Sequence, residues 1–421
     1  MIALLRHVLV CALSAVAVSP SIAFAGRPSV LVNPHVAGQG TATTIQQGIK
    51  MVDSGGKVMV LPGTYNEAIV IDKALTLESV GGQSGPVVVE PPGAPVTAVQ
   101  VTTSQPVVIR GLTLRYSGVN GIRGDGIVDV TIEGVTAVAV NPPLGVDRVI
   151  SVANDGSVTK GRAKLAVRDS FLDDGITCKE RPAACIFDAT APYPQTFGVI
   201  FGGDTDGVIE RNVIRRTGGA CIFVVVRNDL AGETNADIFD NDLDECHPLG
   251  RAGAIFVSPQ GTINPSTEPV SAKGTVNIVG NTIRNSPQSC MTSSGITYVV
   301  FGGRIERNRI EGVVQTCAFD TSRARPAGIW LGSRLASNLY PRVGVTVRFN
   351  DIVGNAHAGL RVAQNMTPAV EASCNWWNDA SGPSGAGPGS GDALVVEPGA
   401  ATPLFAPWAA EPVAAGQSTC D

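Results

Sequence analysis

The chain has 421 residues, with 31 Lys and Arg against 36 Asp and Glu for a net charge of −5. That mild acidity argues against nucleic acid or an anionic membrane surface as a partner. Aromatic residues make up only 5% while glycines number 49, a composition suited to many short strands and tight turns.

Residues 1–25 read as an export signal. Arg6 and His7 lead an apolar run from Val8 to Val18, and Ala23-Phe24-Ala25 has the small-x-small form of a cleavage site. The run is too short for a lasting membrane anchor and nothing later reads as a span, so the expected location is secreted or periplasmic. Cleavage would remove Cys11 and leave an even number of cysteines, which in an exported chain favours disulfides over a metal site. No CxxC pair or histidine cluster argues for a metal.

Residues 41–54 form the best helix candidate. Thr44 followed by Gln47 is a capping-box spacing; Ile45, Ile49 and Val52 share a face, and Gly55-Gly56 stop the run. Val58, Val60, Pro62, Gly63, Thr64, Tyr65 and Glu67 then open a strand-rich region.

From there one frame recurs: a β-branched residue, two polar residues, a slot, any residue, an aliphatic residue. Its clearest copy is Val208 to Arg216, with Asn212 in the slot. Asn241, Asn281, Asn308, Asn350 and Asn375 fill the later slots; Ser170, Val135, Leu112 and, more loosely, Leu75 fill the earlier ones. A unit of this size cannot bury its own apolar face, but stacked copies can, so the repeat predicts a solenoid of about ten coils. Asn suits a left-handed turn, and stacked Asn side chains can bond along the axis. The helix near 44–53 would plug the open end.

The chain closes on Cys374-Asn375-Trp376-Trp377, Gly382-Pro383-Ser384-Gly385, Gly387-Pro388-Gly389 and Gly391-Asp392. This ending, together with the helix and the Val58–Glu67 motif, resembles the pectin-lyase-like superfamily of β-helix repeat proteins over roughly residues 41–408. Relatives carry Gly after the second Trp, where this chain has Asn378. The resemblance implies an all-β fold, a single-stranded right-handed parallel β-helix over 26–408 with an N-terminal capping helix, followed by a tail at 409–421. It implies little about activity, since one fold hosts many functions.

The frame also orders the cysteines. Cys290 and Cys317 each lie nine residues after a slot Asn, which puts them in one column on adjacent coils. Cys221–Cys246 and Cys374–Cys420 are further expected pairs, and Cys178–Cys185 would close a small loop, although Cys185 also shares a column with Cys221.

Two columns bear on function. Three residues after the slot stand Asp173, Arg215, Asp244, Arg284 and Glu311, an alternation that stacking would turn into an ion ladder. Asp173 and Asp174 are also the catalytic candidates, because a hydrolase of this fold needs paired acids. Arg215 should however lie between Asp173 and Asp244. No pectinesterase-, polygalacturonase- or pectate-lyase-like signature matches residue by residue, so the chain is left open between lyase, hydrolase and no enzyme; a lyase would call for Ca²⁺ or Arg beside a uronic carboxylate.

The second column follows a small residue: Ile186-Phe187, Ile222-Phe223, Ile255-Phe256, Ile296-Thr297, Ile329-Trp330 and Leu360-Arg361. If the aliphatic member points inward, Phe223, Phe256 and Trp330 point out and form a platform for sugar rings. Arg323, Arg325, Arg334 and Arg342 lie in neighbouring insertions and could meet an acidic glycan. The contrary expectation is that the insertions bury the stripe. Two readings follow: an exported protein that binds or processes a polysaccharide, including an acidic one, or a non-catalytic structural or surface-interaction solenoid.

Overall fold

The computed structural model describes residues 26–36, 41–81, 85–93, 96–140, 148–153, 161–175, 196–227, 233–246, 253–260, 274–285, 294–298, 302–314, 326–332, 344–363, 366, 369–413 and 420. Within them the chain winds into three long sheets of 12, 10 and 12 strands, taken in turn on every coil. A coil visits the first sheet, turns a corner into the second, and crosses to the third before rejoining the first. Thr205–Glu210, Val213–Thr217 and Ile222–Arg227 make one such coil. Strand pairing between successive coils is parallel throughout. This is the right-handed parallel β-helix that the resemblance implies, and the second sheet gives ten coils, one strand each.

The registered columns explain why the repeat folds this way. Ile209, Ile238, Ile278, Ile305 and Val347 stack in the first sheet, each fully buried. Ile214, Leu243, Ile283, Ile310 and Ile352 do the same in the second, and Ile222, Ile255, Ile296, Ile329 and Leu360 in the third. Each of these coils thus gives at least one aliphatic residue to each wall. A side chain of this size fully withdrawn from water stabilises the fold by about 1.5–3 kcal/mol before entropy is set against it.

The corner between the first and second sheets holds the slot. Asn212, Asn241, Asn281, Asn308, Asn350 and Asn375 form one buried column. The left-handed residue is the one before the Asn: Arg211, Asp240, Gly280, Arg307, Phe349 and Cys374 all have φ between 54° and 72°. The expectation that Asn itself takes the left-handed turn is therefore corrected; its side chain serves the ladder and its neighbour makes the bend. Leu75 is also reassigned, since it pairs within the first sheet, while Val87 and Gly63 hold the slot register of the first coils.

The helix spans Ile45–Met51, with Thr44 as N-cap accepting from Gln47 N. Glu67, the last residue of the opening motif, accepts from Ile45 N at 2.7 Å and Gln46 N at 3.0 Å, so the first coil satisfies the orphan amides of the plug. At the other end Trp377 is fully buried, and Asn378 takes φ 66°, the conformation for which glycine is the usual choice.

Cys221 and Cys246 form a disulfide between adjacent coils. The expected Cys374–Cys420 bridge is not formed. Cys374 sits at the left-handed corner as a buried thiol, with Arg348 Nη2 3.9 Å from its sulfur. Cys178, Cys185, Cys290 and Cys317 lie outside the described residues, as do residues 1–25.

Candidate functional site

The three walls are not equivalent. The corner from the first to the second sheet is two residues long in coil after coil: 134–135, 169–170, 211–212, 240–241, 280–281, 307–308 and 349–350. The long connections all adjoin the third sheet. Residues 174–196 and 312–328 enter it, and residues 261–274 and 332–344 leave it. The outer face of the third sheet is therefore the candidate site.

Strand alternation sets which side chains face outward. The outward column runs Val70, Gln100, Arg123, Ser151, Ile200, Phe223, Phe256, Thr297, Trp330, Arg361 and Val395. Ile200 occupies the rung before Phe223; Phe187 lies outside the described residues. The same register places Cys221 beside Gly198.

The aromatic residues do face away from the coil interior, and Phe223 stacks on Phe256 at 4.7 Å with Phe197 at 5.2 Å on its other side. They are not an open platform. Phe223 is 6% exposed and Trp330 4%, while Phe256 is half-buried. Phe197, Ile200, Ala220, Phe223 and Val225 make a small apolar cluster outside the main core. Trp330 packs with Ala327 and Ala358, and Arg361 lies over its ring at 5.4 Å from the centroid. Arg361 is itself buried and paired with Glu397. Arg323, Arg325, Arg334 and Arg342 fall outside the described residues.

Nearer the start of the chain the same face is polar. Asn120 and Arg123 stand on one strand, and Arg148 and Ser151 face them on the next. Arg148 continues into Phe197, which touches Phe223, so its column flanks the outward one. Burial first, and then the neighbouring Arg123, push the Arg148 guanidinium below its ordinary pKa; Asp125 opposes this. Sequence reading passed over these residues because their coils carry no slot Asn to fix the register. The signal available was Arg123 standing one after an aliphatic residue, as Phe223 does.

Asp173 lies on the second sheet, away from this face. The column Asp173, Arg215, Asp244, Arg284 is in register as expected, so Arg215 separates the two acids. Asp173 is buried and accepts from Arg215 Nε at 3.1 Å, from Arg216 through both oxygens, and from Gly175 N at 2.9 Å. Both oxygens are engaged as ion-ladder acceptors. Asp174 is buried as well. Among the described residues no group of three or more His, Cys, Asp or Glu is placed to hold a metal ion, and no helix is long and apolar enough to cross a membrane.

No protein-family model matches the chain, and no curated protein does. Among solved structures it is similar to the Dettilon tailspike protein gp208, with a TM-score of 0.52 and 14% identity over 88% of this chain and 68% of that one. A mannuronan C-5 epimerase module of Azotobacter vinelandii aligns at TM-score 0.27 and 14% identity, over 85% of this chain and 94% of that one. The catalytic domain of a GH87 α-1,3-glucanase aligns at 0.31 and 11% identity, over 90% and 67%. The tailspike likeness supports the fold.

Proposed function

We propose that this is an exported β-helix protein that binds an extended polysaccharide along the outer face of the third sheet. The observation that carries the reading is the asymmetry of the connections: tight corners on one edge, long insertions on both edges of a single sheet. A solenoid supplies a long regular face, and insertions along its margins give that face walls and specificity. Turnover of the bound chain by lyase or hydrolase chemistry is a further step with no assigned residues, and Asp173 is a poor candidate for it. A non-catalytic surface solenoid is the alternative, favoured by the ion-paired state of Asp173.

The test is affinity electrophoresis of the purified protein through gels containing neutral and acidic polysaccharides, with released reducing and unsaturated ends measured in parallel. Retardation by at least one polysaccharide, relieved by Arg123→Ala on the third sheet and unchanged by Arg284→Ala on the second, is the expected result. Equal migration in every gel would reject the reading in favour of the structural solenoid.

A further inference from the structure

The polar patch on the third sheet has a feature that protein groups alone leave unexplained. Asn120 is fully buried and its Oδ1 has no hydrogen-bond partner; its Nδ2 donates to Thr97 Oγ1 at 3.2 Å. Opposite it, Arg148 is half-buried and its Nε is buried without a partner. A second guanidinium, Arg123, stands on the adjacent strand, and adjacent strands are only about 4.8 Å apart. Arg123 spends Nε on Asp125 at 2.7 Å, which leaves its two terminal nitrogens for other acceptors. Ser151, buried, faces Arg123 across the strands.

Two guanidiniums on one face, one of them partly desolvated, repel each other and hold more charge than the single carboxylate of Asp125 balances. A buried donor on a charged group left unmade costs free energy that an acceptor would recover. The amide of Asn120 fits the same need. Thr97 Oγ1 can donate as well as accept, so turning the amide over keeps that bond and presents Nδ2, a donor, where the unpaired oxygen stands. All the unspent groups are then donors: Arg148 Nε, the Arg123 terminal nitrogens, the Asn120 amide and the Ser151 hydroxyl.

We infer that Asn120, Arg123, Arg148 and Ser151 form an oxyanion site on the outer face of the third sheet, which takes a carboxylate or sulfate group. Guanidinium forks match such oxyanions through paired N–H bonds. The inference rests on the polysaccharide reading only for the carrier, an acidic substituent on an extended glycan; the anion site itself stands on these four residues.

The experiment titrates glucuronate and, separately, inorganic sulfate into the full chain at constant ionic strength, against chloride, and reads binding by calorimetry. The variants are Arg148→Gln, Arg123→Gln and, as a control from the first sheet, Arg110→Gln. Saturable binding of one or both anions is expected, weakened on the order of tenfold by either Arg148→Gln or Arg123→Gln through loss of one charge-assisted pair, and unchanged by Arg110→Gln. Whichever anion binds more tightly identifies the substituent. Without anion, Arg148→Gln should melt no lower than the wild type, because it removes a desolvated like charge. Binding that is equal in all four proteins overturns the site, as does absence of binding. A large fall in melting temperature for Arg148→Gln without anion also overturns it, since Arg148 would then be a structural residue. Loss of polysaccharide retardation with anion binding intact would reject the glycan reading alone.

Discussion

Asn281 Oδ1 accepts two bonds from Asn241 one coil earlier, from its backbone N at 3.0 Å and its Nδ2 at 2.9 Å. Asn281 Nδ2 in turn donates to Ile238 O at 2.9 Å and to Asn308 Oδ1 at 3.0 Å. The same four bonds repeat at Asn308 and Asn350. Asn281→Ala should therefore strand two donors of Asn241 and the carbonyl of Ile238 in a buried corner. At about 1–3 kcal/mol for each buried polar group left unpaired, partly relieved by water, the loss is on the order of 3–5 kcal/mol. Asn281→Asp should cost at least as much, because a carboxylate cannot donate to Asn308 Oδ1. Urea unfolding of both variants checks this; a loss below about 1 kcal/mol would mean that the column is not a stability element.

The ion ladder on the second sheet gives a pairwise test. Asp173 is 2% exposed at its side chain and held by Arg215 and Arg216. Arg215→Glu exchanges one of those partners for a like charge and places three acids in register with Asp244. A loss of about 1.5–3 kcal/mol is expected, the range for hydrogen bonds to a charged group. Adding Asp244→Arg should recover part of it. Strict additivity of the two changes would show that the sites do not interact.

Acid sensitivity should be concentrated in carboxylates held by arginine. Asp206 bonds to Arg162 through both oxygens and to Asn235 Nδ2 at 3.1 Å. These contacts, led by the Arg162 hydrogen bond, hold it below the ordinary carboxylate value. A carboxylate depressed in the folded state contributes stability above its unfolded pKa of about 3.9 and loses it as pH falls through the lower folded value. Arg162→Ala should thus be less stable than the wild type at neutral pH, and the gap should close as pH drops below about 4. Chemical unfolding across that range measures it; a gap that stays constant with pH would assign the effect of Arg162 to packing.

The fold was legible because the slot Asn repeats without exception over the later coils, and because each of those coils contributes at least one aliphatic residue per wall. Where Leu112, Val135 and Ser170 replace Asn, the frame blurred, and Leu75 was placed in the wrong wall. The register still found the Asp173–Arg215–Asp244–Arg284 column. It missed a stricter alternation on the first sheet, Glu78, Arg110, Glu133, Arg168 and Glu210, which stacks rung by rung. That column sits two residues before the slot, where the frame allows any polar residue, so periodicity alone did not mark it. The site was less legible because strand alternation reports which way a side chain points, not what covers it: Phe223 and Trp330 point outward and are buried all the same.

Trp330 separates packing from recognition. Its ring lies between Ala327, Ala358 and the Arg361 guanidinium, at 4% exposure. Arg361 is held in place by Glu397, with Nε 2.8 Å from Oε1. Removing the indole deletes a large buried surface and takes the aromatic face from a buried cation, whose attraction to the ring adds about 0.5–2 kcal/mol. Trp330→Ala should lower stability by about 3–5 kcal/mol, the usual cost of truncating a buried aromatic. Trp330→Phe keeps a ring under Arg361 and should recover most of that loss. Polysaccharide retardation by the fraction that remains folded should be the same for Trp330→Phe as for the wild type. The opposite pattern, a melting temperature that hardly moves in Trp330→Ala together with lost retardation, would show that the indole is a sugar platform and that its burial yields to ligand.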